Sequence, residues 1–285
     1  MSAQNASVWL GSARPWVFKL ILATAAILAG TSVLMIVSQF TADPYSVPAL
    51  LNPSESVVVQ VFLYSLLAVM VLIGIYTSDI QGTIEGDPTG PMDIVSLVIG
   101  RITMILIGYV VAIMFYEVVV RYVFEKPTLW ANELSRWMAF GVFLLAGLYA
   151  MQQRSHIRIY VIYDMMPRWM QKASDILSVV LIWLFAAAAI WGGWNEARDK
   201  FNRWETLGTA FDPPIPATMK FSLLAIFVLV AMQALSNLIA DWNKVPEHHS
   251  PSDEIDEAEI EELRQVLGAD APEDSVDPNN NEPRA

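Results

Sequence analysis

A chain of 285 residues with 55% hydrophobic and only 16% charged side chains is too apolar for an ordinary soluble domain, in which about 25% of residues are charged. The absence of cysteine excludes disulfides, a thiol nucleophile, iron–sulfur ligation and c-type haem attachment. The net charge of −12 sits almost wholly in the last 41 residues, where thirteen Asp/Glu face two Arg; the rest carries −1 and has no basic patch able to bind nucleic acid.

Six apolar runs follow in chain order, at about 17–38, 57–77, 94–116, 135–152, 174–194 and 220–240. Each is close to the roughly 20 residues that cross about 30 Å of hydrocarbon at about 1.5 Å per residue. The helices of a soluble bundle would each need a polar face, and these runs have almost none. Arg14 and Lys19 precede the first run as basic residues precede a secretory signal. Its apolar stretch exceeds the roughly 7–15 residues of a signal core, and five more runs follow, so it reads as an uncleaved span. The loop at 39–56 is punctuated by Asp43-Pro44, Pro48 and Asn52-Pro53, and that at 78–93 by Gly82, Gly86, Asp87-Pro88 and Gly90-Pro91. The fourth run reaches full length only if its helix begins near Trp130. Pro213-Pro214-Ile215-Pro216 closes the loop at 195–219, because proline lacks the N–H that a helix interior needs. Beyond Val245 the chain turns acidic. Residues 253–267 read as a short amphipathic helix, and the Pro/Asp/Asn-rich remainder as disordered.

The expected architecture is therefore an all-α integral membrane protein with about six transmembrane helices and a polar acidic tail. The ten tryptophans cluster near the ends of the runs, as interfacial aromatic belts require. Arg154, Arg158, Arg168 and Lys172 in the fourth loop favour both termini on the cytoplasmic side, with Arg198, Lys200 and Arg203 in the fifth loop counting against it.

Polar groups at membrane depth are costly and so informative. Arg101 lies about two turns inside the third run and is expected to snorkel toward the interface rather than form a buried ion pair. Glu117 and Arg121, spaced i and i+4, form a candidate structural ion pair. At the start of the fourth run Trp130, Glu133 and Trp137 share one helical face, and Arg136 can bridge to Glu133. Two readings stand: an interfacial anchor satisfied within the chain, or a contact with a partner protein. Arg154, His156 and Arg158 follow the same run. His156 is the only histidine before the tail, so a metal site, which needs three or four ligands, and a bis-histidine haem are not expected. An interfacial role that binds lipid phosphates fits it better. Ala186 to Ala189, Gly192 and Gly193 would let helices approach closely, while Gln233 and Asn237 share a face able to hydrogen-bond across helices. No nucleophile elbow, facing carboxylate pair or phosphate loop is present, so no enzyme activity and no cofactor are expected.

Arg121-Tyr122-Val123-Phe124, Trp130-Ala131-Asn132-Glu133-Leu134-Ser135-Arg136, the His156-Ile157-Arg158 turn, Pro167, Trp204-Glu205-Thr206 and Ile215-Pro216 together resemble the small membrane subunit of TRAP (tripartite ATP-independent periplasmic) transporters. Asn132 departs from the usual pair of acids, and the first two spans have no counterpart in the four-helix form. The resemblance implies a division into residues 1–93 as an extra transmembrane hairpin and loop, 94–244 as the four-helix small-subunit domain, and 245–285 as the tail. It further implies a multi-pass protein of the bacterial inner membrane. Such a subunit braces a large polytopic transport subunit in a sodium-coupled importer, to which a periplasmic solute-binding protein delivers small carboxylates. Trp130, Glu133, Arg136, Trp137, Arg154, His156 and Arg158 are then the candidate partner contacts. A self-sufficient carrier or channel, and the membrane anchor of a redox complex, remain the alternatives from the residues alone.

Overall fold

A computed structural model of the chain describes residues 7–38, 40, 50–51, 56–80, 85, 88–154, 163 and 166–243. Six helices are long and apolar enough to cross a membrane, and no strand occurs among the described residues. They are α1 (Arg14–Ser38), α2 (Val57–Ser78), α3 (Pro91–Val123), α4 (Ala131–Gln152), α5 (Arg168–Asn202) and α6 (Ile215–Asp241). The acidic tail, its expected amphipathic helix, His156 and Arg158 lie outside the described residues.

Local chemistry sets the ends. Ser56 caps α2 by accepting from the Val59 N–H. Gly90 is extended at the N-cap of α3 and Pro91 occupies its first turn, so this pair starts the helix instead of belonging to the loop. α3 consequently runs three residues earlier and seven later than its apolar run. α4 begins at Ala131, which gives it 22 residues. α5 continues through the polar segment 195–202 that reads as loop by composition, and Pro216 sits in the first turn of α6. With 33 and 35 residues, α3 and α5 are about 50 Å long, more than the hydrocarbon thickness, so they tilt or project beyond it.

One compact unit comprises Met1–Ile157 and Lys172–Lys244. Within it α1 packs on α2, α2 on α3, α3 on α4, and α4 and α3 on α6. Two glycines permit the close crossings. A Cβ on Gly74 would lie 2.8 Å from Cγ1 of Ile102 on α3, and one on Gly100 would enter the Tyr149 ring on α4. α5 leans on α6 through side chains. Phe185 meets Phe227 edge-on at 5.1 Å, Phe201 stacks on Phe221 at 5.0 Å, and a Cβ on Gly193 would touch Leu224 at 3.2 Å. Gly192 faces open space, so only part of the small-residue run expected to draw helices together does so. The outward faces are apolar, with Ile36, Leu67, Phe115, Phe143 and Trp191 all exposed, as lipid-facing helices require.

A second compact unit comprises Arg158–Gln171 and Val245–Ala285. Among its described residues, Gln171 donates its side-chain amide to the Tyr163 carbonyl at 3.0 Å, and Pro167 accepts from the Met170 backbone N–H at 2.8 Å.

Candidate functional site

Polar side chains gather at two levels, one at each end of the helices of the first unit. At the level where α2, α4 and α6 finish, Asp93 in the first turn of α3 is almost fully buried. One of its oxygens accepts from the Thr89 backbone N–H at 2.9 Å and the Thr89 hydroxyl at 2.8 Å, and the other from the Gln233 amide of α6 at 2.6 Å. Gln233 accepts from Ser96 at 2.7 Å and donates to Asn237 at 2.8 Å, and Asn237 donates to the Met151 carbonyl of α4 at 2.7 Å. Three helices are thus tied by one chain of hydrogen bonds with no member left short.

Beside this chain, Glu85 accepts from Arg101 of α3 and from the Tyr149 hydroxyl of α4, each at 2.5 Å. Arg101 also donates to the Ile80 carbonyl at 3.0 Å. The expectation that Arg101 snorkels to the interface is therefore corrected: a carboxylate from the α2–α3 loop meets it inside the protein. Arg154 pairs with Asp241 at the end of α6 through contacts of 2.5 and 3.0 Å. Asp79, just past α2, is wholly buried and accepts from Ser7 and from the backbone N–H groups of Trp9 and Leu10 at 2.8–2.9 Å. Burial pushes its carboxyl up, but those donors and the Arg14 guanidinium outweigh it and hold the group below its ordinary range.

At the opposite level, Glu117 accepts from Arg121 Nε at 2.9 Å and from the Thr128 backbone N–H at 3.1 Å, which anchors the α3–α4 turn. Trp130 stacks on Tyr116 with ring centroids 5.9 Å apart. Glu133 accepts from Thr209 of the α5–α6 loop at 2.5 Å, and Trp137 donates its indole N–H to Thr218 of α6 at 2.9 Å. Arg136 does not bridge to Glu133. It is exposed on another flank of α4, because the Glu133 carboxylate is drawn to Thr209. Lys200 bonds Glu205 at 2.9 Å, and that ammonium holds the Glu205 carboxyl below its usual value. Lys220 reaches across from α6 to Glu196 of α5.

Sequence reasoning thus located Glu117, Arg121, Gln233 and Asn237 but missed Asp79, Glu85, Asp93, Ser96 and Tyr149. Asp93 had one available signal, an acid two residues past a Gly-Pro helix start. The Glu85–Arg101–Tyr149 contact has none, since its members come from three separate segments. Among the described residues no three His, Cys, Asp or Glu side chains converge as a metal site would need. These groups tie helices together, while Trp9 Nε1, Arg101 Nε, Ser135 Oγ and Asp79 Oδ2 are buried with no hydrogen-bond partner, the last of them 3.6 Å from the Arg14 guanidinium.

The family model described as tripartite ATP-independent periplasmic transporters, DctQ component, matches residues 110–244, from the middle of α3 to just past α6. No curated protein matches the sequence.

Proposed function

Through residues 110–244 the chain belongs to the DctQ component family, the small permease component of tripartite ATP-independent periplasmic transporters, and we propose on that premise that it is a bracing subunit without transport chemistry of its own. It stands in the bacterial inner membrane beside a large polytopic subunit that moves the solute, supplied by a periplasmic solute-binding protein. The solute is a small carboxylate and the coupling ion is sodium. Residues 94–244 act as the family's four-helix body, and 1–93 as an added hairpin that widens it. Both termini lie on the cytoplasmic side, and the chain catalyses no reaction.

One observation supports the bracing role above the others. The groups of Asp93–Gln233–Asn237 and Glu85–Arg101–Tyr149 are spent on hydrogen bonds that join α3, α4, α6 and the α2–α3 loop to one another. A solute site would need polar groups held in reserve for its cargo; a brace needs them spent on rigidity.

The test is uptake by cells lacking this chain but retaining the large subunit and binding protein. Loss of sodium-dependent carboxylate uptake, restored by the chain and not by sodium alone, supports the reading. Solute flux through vesicles holding only this chain would overturn it.

A further inference from the structure

We propose that the stripe of α4 formed by Arg136, Phe140, Phe143 and Gly147 is where the large membrane subunit seats, with a carboxylate of that subunit opposite Arg136. This rests on the reading above and names the surface it uses.

Among the described residues, Arg136 is the one arginine with no ion-pair, hydrogen-bond or ring partner, whereas the others have acceptors within the chain, from Arg14 with Asp79 to Arg203 with Glu205. It is the sixth residue of a transmembrane helix, about 7.5 Å along from the first. Near the start of a membrane-crossing helix and without an acceptor of its own, that guanidinium is open to a counter-charge from outside the chain.

Helix geometry then defines the surface. At about 100° per residue, positions 136, 143 and 147 fall within about 20° of one line, with 140 close by. Glu133 and Trp137 lie roughly 60–100° to one side, where Thr209 and Thr218 hold them. α4 is therefore clamped by one flank and presents the Arg136 stripe with the other. Phe143 stands out 80% exposed, and one turn on Gly147 has nothing within 4 Å of where a Cβ would be. A projecting ring next to a notch is a shape that a packed helix can match and fluid acyl chains do not, and small residues let such a helix approach closely. A carboxylate explains the charge and a helix explains the relief, so a protein partner accounts for both where a lipid phosphate accounts only for the first. The stripe lies wholly inside the 110–244 match.

The test uses the full chain co-expressed with the large subunit. A photo-crosslinking amino acid at Phe143 is expected to give an adduct with the large subunit, and the same label at Ile36 of α1 or Leu181 of α5 at least tenfold less. Arg136→Glu should reduce recovery of the large subunit at least tenfold, and Arg136→Lys less than threefold. The proposal is overturned if Phe143 yields no protein adduct while Ile36 or Leu181 does. It is equally overturned if Arg136→Glu keeps the complex and loses only affinity for vesicles of anionic phospholipid, which would make the counter-charge a headgroup. Should the wild-type chain not copurify with the large subunit at all, the bracing role itself fails, a result distinct from either.

Discussion

Gln233 and Asp93, 140 positions apart in the chain, meet across 2.6 Å between α6 and α3, and the amide that Gln233 donates there is shared with Asn237 on its own helix. Hydrogen bonds between transmembrane helices average only about 0.6 kcal/mol. This one is expected to exceed that average, because both partners are almost fully buried and the contact is short. Gln233→Leu removes the donor and leaves Asp93 short of a partner, at a cost of about 2 kcal/mol. Gln233→Glu should be worse still, since it sets two carboxylates face to face. Unfolding of the purified protein in mixed micelles, titrated with a denaturing detergent, measures both, and an unchanged midpoint for Gln233→Leu would refute the role given to this bond.

A side chain at Gly100 of α3 would run into the Tyr149 ring of α4, and its absence lets that ring lie against α3 with its hydroxyl on Glu85. Gly100→Ala forces that ring aside and should destabilise by about 1–3 kcal/mol. Tyr149→Phe keeps the ring and loses one hydrogen bond, about 1 kcal/mol. Because both act on one contact, the double variant should cost less than the sum of the two, and thermal melting of the three variants tests that non-additivity.

These contacts show what a linear reading can reach. All six spans were legible, because about 20 apolar residues in a row have few other uses. Their ends were less so. α5 extends over Asn195–Asn202, a polar segment by composition, because Lys220 of α6 reaches its Glu196 and Phe201 stacks on Phe221. Arg101 shows the limit most plainly: its partner Glu85 lies in a Gly/Pro-rich loop sixteen residues away, and nothing in the spacing points from one to the other. The pairs that were legible, Glu117 with Arg121 and Gln233 with Asn237, are those in which helical periodicity alone brings the residues together.

Asp79 ties the segment before α1 to the end of α2, and its protonation should release that tie. Its folded-state affinity for a proton is lowered, so the stability it contributes is present above its unfolded value near pH 4 and is lost as pH falls through the lower folded value. The wild type should therefore hold residues 7–14 protected from protease at pH 7 and 5 and begin to expose them only below about pH 4. Asp79→Asn should expose the segment at neutral pH and show no such acid step. A variant with wild-type protection at pH 7 would remove Asp79 from this role.

The α5–α6 loop is held to α4 by the Thr209 hydroxyl on Glu133, while its own backbone is braced by the Leu207 N–H on the Pro213 carbonyl and the Ala217 N–H on the Glu205 carbonyl. Thr209→Val deletes the tie and keeps the shape of the side chain. The lost bond is worth about 1 kcal/mol at this partly exposed position, which is a factor of about five in the opening equilibrium. Amide exchange at residues 205–212 should speed up by that factor, with α4 itself unchanged. Glu133→Gln keeps an acceptor oxygen in place and should leave exchange within about twofold of wild type, since the bond becomes neutral without being lost. If the subunit contact runs along the Arg136 stripe, both variants should still recover the large subunit in full, because the tie they alter lies on the other flank of α4. Loss of the complex in Glu133→Gln, with loop exchange unaltered, would show instead that this carboxylate faces the partner.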